Sequence, residues 1–90
     1  MRLTKAQKYS LDWVGKQIHE YDHGYSYLET NIGWGKPHDY RTIKSLRDKG
    51  LIICYDSGNG KGRELRSIPS DGAFTAQMTE LGEEIWRGLA

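Results

Sequence analysis

The side chains best suited to binding chemistry lie in the segment PHDYRTIKSLRDKGL, residues 37–51. At about 100° per residue, Ile43 and Leu46 define the buried side of a helix in this segment. The opposite side carries donors and charges, namely Arg41, Lys44, Ser45 and Asp48. A face of guanidinium, ammonium and hydroxyl donors suits hydrogen bonds to phosphates and base edges. Ordinary solvated helices have similar faces, so this segment alone leaves both interpretations open.

Local signals predict the bounds of this helix as residues 37–49. Pro37 suits the first helical position, and Asp39 puts a carboxylate in the first turn, where the helix dipole favours a negative charge. Gly50 can adopt the left-handed conformation that ends a helix, and Leu51 can then fold back onto the last turn in a Schellman cap. We therefore expect a short helix with a defined start and end.

Positive charge is concentrated around this helix, although the whole chain has a formal net charge of only +1. Residues 1–35 contain four cations and four anions, residues 36–66 contain eight and four, and residues 67–90 contain one and four. The three segments therefore have net charges of 0, +4 and −3. A local excess of cations is the electrostatic feature expected of a nucleic-acid-binding surface.

Composition limits the class of protein. With 37% hydrophobic and 28% charged side chains, the sequence predicts one soluble domain over residues 1–90. No apolar run approaches the roughly 18 residues of a membrane span, and no signal-peptide core follows Met1. We therefore expect a cytoplasmic protein. The single cysteine, Cys54, lies in an apolar run and is expected to be a small buried side chain.

Other residues with chemical potential form incomplete sets. His19 and His23 are four residues apart and could bind a metal, but only one cysteine is present to complete a tetrahedral site. The glycines around Lys61 do not form a phosphate loop, because the hydroxyl residue after the lysine and the following helix are missing. No combination of nucleophile, base and acid is present. We expect no metal, no cofactor and no enzyme activity.

Two helices are predicted before residue 37. Thr4 and Gln7 form a capping-box pattern that starts an N-terminal helix reaching about residue 21. Its apolar stripe is expected to comprise Ala6, Tyr9, Trp13, Val14, Gln17, Ile18 and Tyr21. A shorter helix is predicted over residues 25–32, and the glycine-containing turn 33–36 leads directly into the next helix. Two helices joined in this way form a helix-turn-helix.

A β-hairpin is predicted after the basic helix. The run 51–55 is β-branched and aromatic, and the Asn-Gly pair at 59–60 is preferred in two-residue turns. Such a turn would place Asp56 opposite Arg63 and start a return strand over residues 63–68. The hairpin tip would then carry a short glycine-rich segment with basic side chains.

The last elements are a strand over residues 74–78 and a helix that Thr79 caps, which gives the order α, α, α, β, β, β, α. Apolar residues of the last helix are Leu81, Ile85, Trp86 and Leu89. This surface is wide for so short a helix, so we expect it to pack against the N-terminal helix of a second copy in a homodimer. In the alternative, Trp86 covers the chain's own N-terminal helix beside Trp13, and the protein is a monomer.

Two short motifs resemble the winged helix-turn-helix superfamily. Residues 46–52 read Leu-x-x-Lys-Gly-Leu-Ile, and residues 78–82 read Met-Thr-x-x-Gly, in that order around a glycine-rich hairpin. They are similar to the end of the recognition helix and the strand-to-helix junction of MarR- and PadR-type regulators. The likeness covers roughly residues 25–84. It implies an α+β winged helix: a three-helix bundle with a helix-turn-helix, a small antiparallel sheet with a wing hairpin, and a C-terminal helix.

The chain departs from that family pattern in three ways. It is shorter than a typical MarR-type protein, it lacks long dimerisation helices at both ends, and the segment between its first and last predicted strands is longer than the usual wing. These departures concern the oligomeric state and effector sensing more than the fold.

The resemblance implies sequence-specific binding of double-stranded DNA by a small transcriptional regulator, with the helix 37–49 in the major groove. Phosphate contacts are expected from Lys36, Arg47, Lys61, Arg63 and Arg66. Base edges are expected to be read by Arg41, Lys44, Ser45, His38 and Thr42. Arg41 is the first choice for specificity, because bidentate contact between arginine and guanine is the commonest direct readout.

Two other partners fit the same sequence. The net charge of +1 is low for a strong DNA-binding protein, and winged-helix domains also serve as protein-interaction modules. In that case Trp34, Tyr40 and Trp86 would be the exposed anchors. The same basic face would also suit structured RNA, which the sequence does not separate from DNA.

Overall fold

The computed structural model describes residues 2–30, 38–56 and 62–89. Within them the chain forms three α-helices and three strands, in the order α1 (Lys5–Gly15), β1 (Ser26–Thr30), α2 (Tyr40–Asp48), β2 (Ile52–Tyr55), β3 (Gly72–Met78) and α3 (Glu80–Gly88). A π turn, Lys16–Glu20, extends α1. The predicted α+β class is confirmed. No helix in the described ranges is long and apolar enough to cross a membrane.

The start of α1 is as the sequence predicts. The Thr4 hydroxyl accepts a hydrogen bond from the Gln7 amide, and the Gln7 side chain accepts one from the Thr4 amide. These two bonds complete the capping box and satisfy two backbone donors at the helix end.

The predicted apolar stripe of the N-terminal helix is confirmed at Val14, which is fully buried, and is wrong at most of its other positions. Four of its members are exposed, namely Ala6, Tyr9, Trp13 and Tyr21. The side that faces the interior instead carries Gln7, Ser10, Leu11, Val14 and Gly15. Small and polar side chains lie inside because other elements approach the helix closely there. A Cβ atom on Gly15, for example, would overlap the ring of Trp86.

The segment predicted as a second helix is a strand. Buried and more exposed side chains alternate along Ser26–Thr30, with the period of two that a half-buried strand has. Leu28 is fully buried and would lie inside in either conformation, so its spacing from Tyr25 did not separate helix from strand. The predicted helix-turn-helix is therefore wrong in its first helix. Its turn, 33–36, lies outside the described residues.

The three strands form an antiparallel sheet in the order β1-β3-β2. Leu28 of β1 lies opposite Phe74, and Cys54 of β2 lies opposite Ala76. At the outer edge of β1, the Tyr27 carbonyl accepts a hydrogen bond of 3.2 Å from the indole of Trp13. The next outward carbonyl, that of residue 29, accepts one of 2.8 Å from the His38 amide. These contacts cover carbonyl groups that an edge strand would otherwise offer to another chain.

The predicted register of the hairpin is confirmed. Tyr55 pairs with Glu64 in an antiparallel bridge, and the Asp56 amide donates to the Arg63 carbonyl at 2.9 Å. The predicted return strand over 63–68 is shorter than expected, because only this one bridge forms there. The Asn-Gly turn at 59–60 lies outside the described residues.

Helix α2 begins later than predicted. Asp39 has an extended backbone, with φ −70° and ψ 127°, and its side chain accepts a hydrogen bond from the Arg41 amide. Asp39 is therefore the N-cap and not a residue of the first turn. His38 precedes the helix and forms a bridge with Thr30. Pro37 lies outside the described residues.

The end of α2 is the predicted Schellman cap. Gly50 has a φ of +77°. The Leu51 amide donates to the Leu46 carbonyl at 3.0 Å, and the Gly50 amide donates to the Arg47 carbonyl at 2.9 Å. These are the two hydrogen bonds that define the motif.

The two motifs that carry the winged-helix resemblance contact each other. Thr79 is the N-cap of α3, and its hydroxyl accepts from the Gly82 amide at 2.9 Å. The same hydroxyl donates to the Gly50 carbonyl, and the Thr79 amide donates to the Leu51 carbonyl at 3.1 Å. The end of α2 is thus fixed directly to the start of α3.

The hydrophobic core lies between the helices and the sheet. Its fully buried side chains include Leu11, Val14, Leu28, Ile43, Leu46, Leu51 and Ala76. Trp86 of α3 packs against this cluster and its indole donates to the Asp12 carboxylate at 3.0 Å. Trp86 therefore covers the chain's own α1. Trp13 lies elsewhere, beside Tyr27, so the predicted pairing of Trp86 with Trp13 is wrong.

Candidate nucleic-acid interface

The interior side of α2 is held by both apolar and polar contacts. Ile43 and Leu46 are fully buried in the core, as predicted. The Gln7 side chain of α1 donates to the Ser45 hydroxyl at 2.8 Å, and that hydroxyl donates to the Thr42 carbonyl at 2.7 Å. The prediction that Ser45 lies on the outward side is therefore wrong, because its hydroxyl is bonded to α1. Packing and this hydrogen-bonded link together fix the rotation of α2, which sets the side that faces outward.

The outward side of α2 carries two exposed cations. Arg41 and Lys44 are both exposed, as the helical spacing predicts. The guanidinium of Arg41 is charged at every physiological pH, as in any arginine, and a hydrogen bond to the side chain of Tyr40 raises its pKa further. Lys44 lies 3.9 Å from the carboxylate of Asp48, with both side chains about half exposed. Solvent screening makes such a pair weak, so the Lys44 ammonium can exchange this partner for another anion.

The side chain of Arg47, a predicted phosphate contact, binds other groups of the domain. Its guanidinium donates to the Arg66 carbonyl and lies 3.0 Å from the Asp48 carboxylate. Its side chain is only 21% exposed, less than half the value of Lys44. Arg47 therefore joins α2 to the segment that follows the hairpin, and a phosphate contact would require it to leave these partners.

Two predicted base-reading residues lie in the interior. His38 is 4% exposed, and its Nδ1 is 2.8 Å from the Ser10 hydroxyl. Its ring also packs against the rings of Tyr9 and Trp13, and burial lowers its pKa. Thr42 is 8% exposed. Neither side chain can reach a base edge while α2 keeps this position, so the candidate site does not include them.

The hairpin places one predicted cation near the tip and a second at the base. Arg63 is exposed, and its amide donates to the Asp56 carboxylate at 2.8 Å, which stabilises the turn back. Arg66 is exposed, and its carbonyl accepts a hydrogen bond from the guanidinium of Arg47. The structure therefore connects the hairpin base to α2. The predicted phosphate contacts Lys36 and Lys61 lie outside the described residues.

The residues considered for catalysis or metal binding make contacts within the domain instead. Cys54 is 1% exposed, and burial raises the pKa of its thiol to about 12, so the reactive thiolate is absent at neutral pH. His19 contacts the Glu83 carboxylate and stacks on Trp86, with 5.2 Å between ring centroids. The described ranges contain no group of three or more metal-ligating side chains.

Of the anchors predicted for a protein partner, Tyr40 and Trp86 are half-buried, and Trp34 lies outside the described residues. Among the residues that the structure describes, the exposed tyrosines and tryptophans are Tyr9, Trp13, Tyr21 and Tyr27. Tyr9, Trp13 and Tyr21 were expected in the core because they fall at helical spacing. Their neighbours at positions 10, 11 and 14, which are small, polar or aliphatic, were the available signal for the opposite orientation of α1.

No protein family, curated protein or solved structure matches the chain.

Proposed function

We propose that this chain is a winged-helix domain that binds double-stranded DNA sequence-specifically, as a small transcriptional regulator does. In this proposal α2 enters the major groove, and the hairpin after β2 lies along the sugar–phosphate backbone. The order β1-β3-β2, with a hairpin beyond β2 and α2 packed on α1, is compatible with such a layout. The observation that carries the proposal is the exposed pair Arg41 and Lys44 on a helix whose other side is fixed.

The charges along α2 favour entry by its N-terminal half. Arg41 and Lys44 belong to the first two turns, whereas Asp48 is at the end of the helix. A carboxylate would repel phosphates, but Asp48 is neutralised by Arg47 at 3.0 Å and lies near Lys44. An approach in which the helix start points into the groove keeps Asp48 near the rim, where its charge is already balanced.

Base readout in this proposal depends on few side chains. His38 and Thr42 are buried, and the Ser45 hydroxyl already has a donor and an acceptor within the domain. Arg41 remains the best candidate for bidentate contact with guanine, and Lys44 can contact a guanine edge or a phosphate. Because few side chains can contact base edges, we expect a single domain to recognise few base pairs.

The proposal is tested by fluorescence-anisotropy titration with labelled duplex DNA, structured RNA and single strands at two salt concentrations. We expect the duplex to bind tightest, with an affinity that falls as salt rises because phosphate contacts release counterions. Equal binding to structured RNA would favour the RNA alternative. Absence of binding to every nucleic acid at low salt would overturn the proposal.

The same titration measures the role of the hairpin. The variant Lys61→Ala with Arg63→Ala should bind all duplexes more weakly by a similar factor. The slope of log affinity against log salt should fall by roughly one unit for each phosphate that the variant no longer neutralises. The matched control is Lys5→Ala, which removes an exposed cation from α1 and should leave the slope unchanged. A change in sequence preference without a change in slope would mean that the hairpin reads bases.

A further inference from the structure

The outer side of α1 carries four charges in strict alternation. Lys8, Asp12, Lys16 and Glu20 follow one another at intervals of four residues, with the signs plus, minus, plus, minus. Lys8 and Asp12 belong to α1, where residues four apart are neighbours on the surface, and Lys16 and Glu20 belong to the π turn that extends it. All four line one groove of about 800 Å³. The groove's other residues are Tyr9 from α1 and Trp86, Arg87 and Leu89 from α3 and its end.

In the described part of the chain, the two inner charges of this series form an ion pair with each other, and Glu20 has a weaker electrostatic interaction with Lys16. Lys16 Nζ lies 3.2 Å from the Asp12 carboxylate, and this hydrogen bond raises the pKa of Lys16. The outer charges, Lys8 and Glu20, form no ion pair with any described residue. Both side chains are exposed, so each is available to a partner outside the domain.

An alternating series of four charges is complementary to itself when it is reversed. If two copies of α1 cross antiparallel at the midpoint of the series, Lys8 meets Glu20 of the other copy, and Asp12 meets Lys16. The twofold axis repeats each contact, which is the isologous arrangement of a symmetric dimer. A parallel twofold arrangement would align each residue with its own copy and bring like charges together, so among symmetric dimers the pattern favours the antiparallel one.

Apolar surface lies beside the charges. Tyr9 is 46% exposed and Leu89 is 38% exposed, and both line the same groove. Trp13 and Tyr21 are also exposed on the next side of α1. Large aromatic side chains with polar neighbours are typical of protein interfaces, since the rings supply buried area and the charges set the register.

We propose that a second copy of this chain docks on the outer side of α1, with the two α1 helices antiparallel and Lys8 paired with Glu20 across a twofold axis. This interface differs from one made by the apolar side of α3, because Trp86 is already bound to Asp12 within the chain. The dimer does not involve the outward side of α2, and it forms without nucleic acid. The dimer proposal is therefore independent of the proposed DNA binding, and either proposal can be wrong while the other is right.

Sedimentation equilibrium of charge-reversed variants tests this geometry without nucleic acid. The wild-type chain should approach twice its mass of 10.3 kDa as its concentration is raised. Lys8→Glu and Glu20→Lys each create two like-charge contacts by symmetry, so each alone should raise the dissociation constant about tenfold. The double variant, which exchanges the two charges, should recover the wild-type constant.

Mixing the two single variants gives the sharpest result. A Lys8→Glu chain beside a Glu20→Lys chain restores both opposite-charge contacts, so a one-to-one mixture should dimerise about as tightly as the wild type, whereas each variant alone should dimerise about tenfold more weakly. Lys5→Glu is the matched control, because Lys5 is an exposed cation of α1 that does not line the groove. Circular dichroism spectra recorded at concentrations where the chain is monomeric should show the same helix content in all variants, since both substituted side chains are exposed.

Three outcomes would overturn the proposal. The first is a wild-type mass that stays at 10.3 kDa on concentration. The second is a wild-type dimer that both single variants retain, which would place the interface elsewhere. The third is a mixture that dimerises no better than its components, which would exclude the antiparallel pairing of Lys8 with Glu20.

Discussion

Replacing Arg41 and Lys44 together with glutamate should abolish binding to duplex DNA while the domain stays folded. The two residues are exposed cations on the outward side of α2, and their reversal would place carboxylates against the phosphates. Neither side chain is buried, so the free energy of unfolding should change by no more than about 0.5 kcal/mol for each substitution. Anisotropy titration measures the binding, and circular dichroism measures the helix content and melting temperature.

The matched control for this experiment reverses two cations elsewhere. Arg2→Glu with Lys5→Glu changes the net charge by the same amount at exposed positions outside α2 and outside the groove on α1. If binding depends on the outward side of α2, the control should retain most of the affinity, with a loss that added salt removes. An equal loss in both double variants would mean that only the total charge matters, and unchanged affinity in the Arg41 and Lys44 variant would exclude α2 as the interface.

The second large effect concerns the junction of α2 and α3. Gly82→Ala should lower the free energy of unfolding by about 3 kcal/mol, because the new methyl group would overlap the Leu51 carbonyl and approach Met78 Cγ to 2.8 Å. The Leu51 carbonyl also accepts the hydrogen bond from the Thr79 amide, so it cannot move aside without loss of that bond. A folded domain is stable by only about 5–15 kcal/mol, so the loss is large.

Gly88→Ala is the control for the junction. Gly88 is also in α3, and a Cβ atom there would meet no other atom within 4 Å. Alanine has the higher helix propensity, so this variant should be unchanged or more stable by up to about 1 kcal/mol. Thermal melts followed by circular dichroism give both values. Equal stability of the two variants would contradict the close approach of α3 to the end of α2.

Features specified by a few adjacent residues could be predicted from the sequence. The capping box at Thr4, the Schellman cap at Gly50 and the hairpin register all depend on contacts within about ten residues. Each of these signals has a stereochemical cause that holds in any context. The position of Arg41 and Lys44 on the outward side of α2 could be predicted for the same reason, since it follows from helical spacing alone.

Features decided by tertiary contact could not be predicted in the same way. The segment that forms β1 has spacing compatible with a helix, and pairing with β3 decided its conformation. The buried side of α1 is decided by how closely α3 approaches at Gly15. His38 was expected to read bases because it precedes the basic helix, but the bridge between His38 and Thr30 turns its side chain toward Ser10.

The most direct test of DNA binding through α2 is a map of the bound surface by nuclear magnetic resonance. The isotopically labelled chain is titrated with a short duplex, and backbone amide shifts are followed residue by residue. We predict that the largest changes occur over residues 39–49 and at the hairpin from Asp56 to Arg66, with small changes on the outer side of α1. Changes confined to Tyr9, Trp13 and their neighbours on α1, or no changes at a saturating duplex concentration, would contradict the proposed interface.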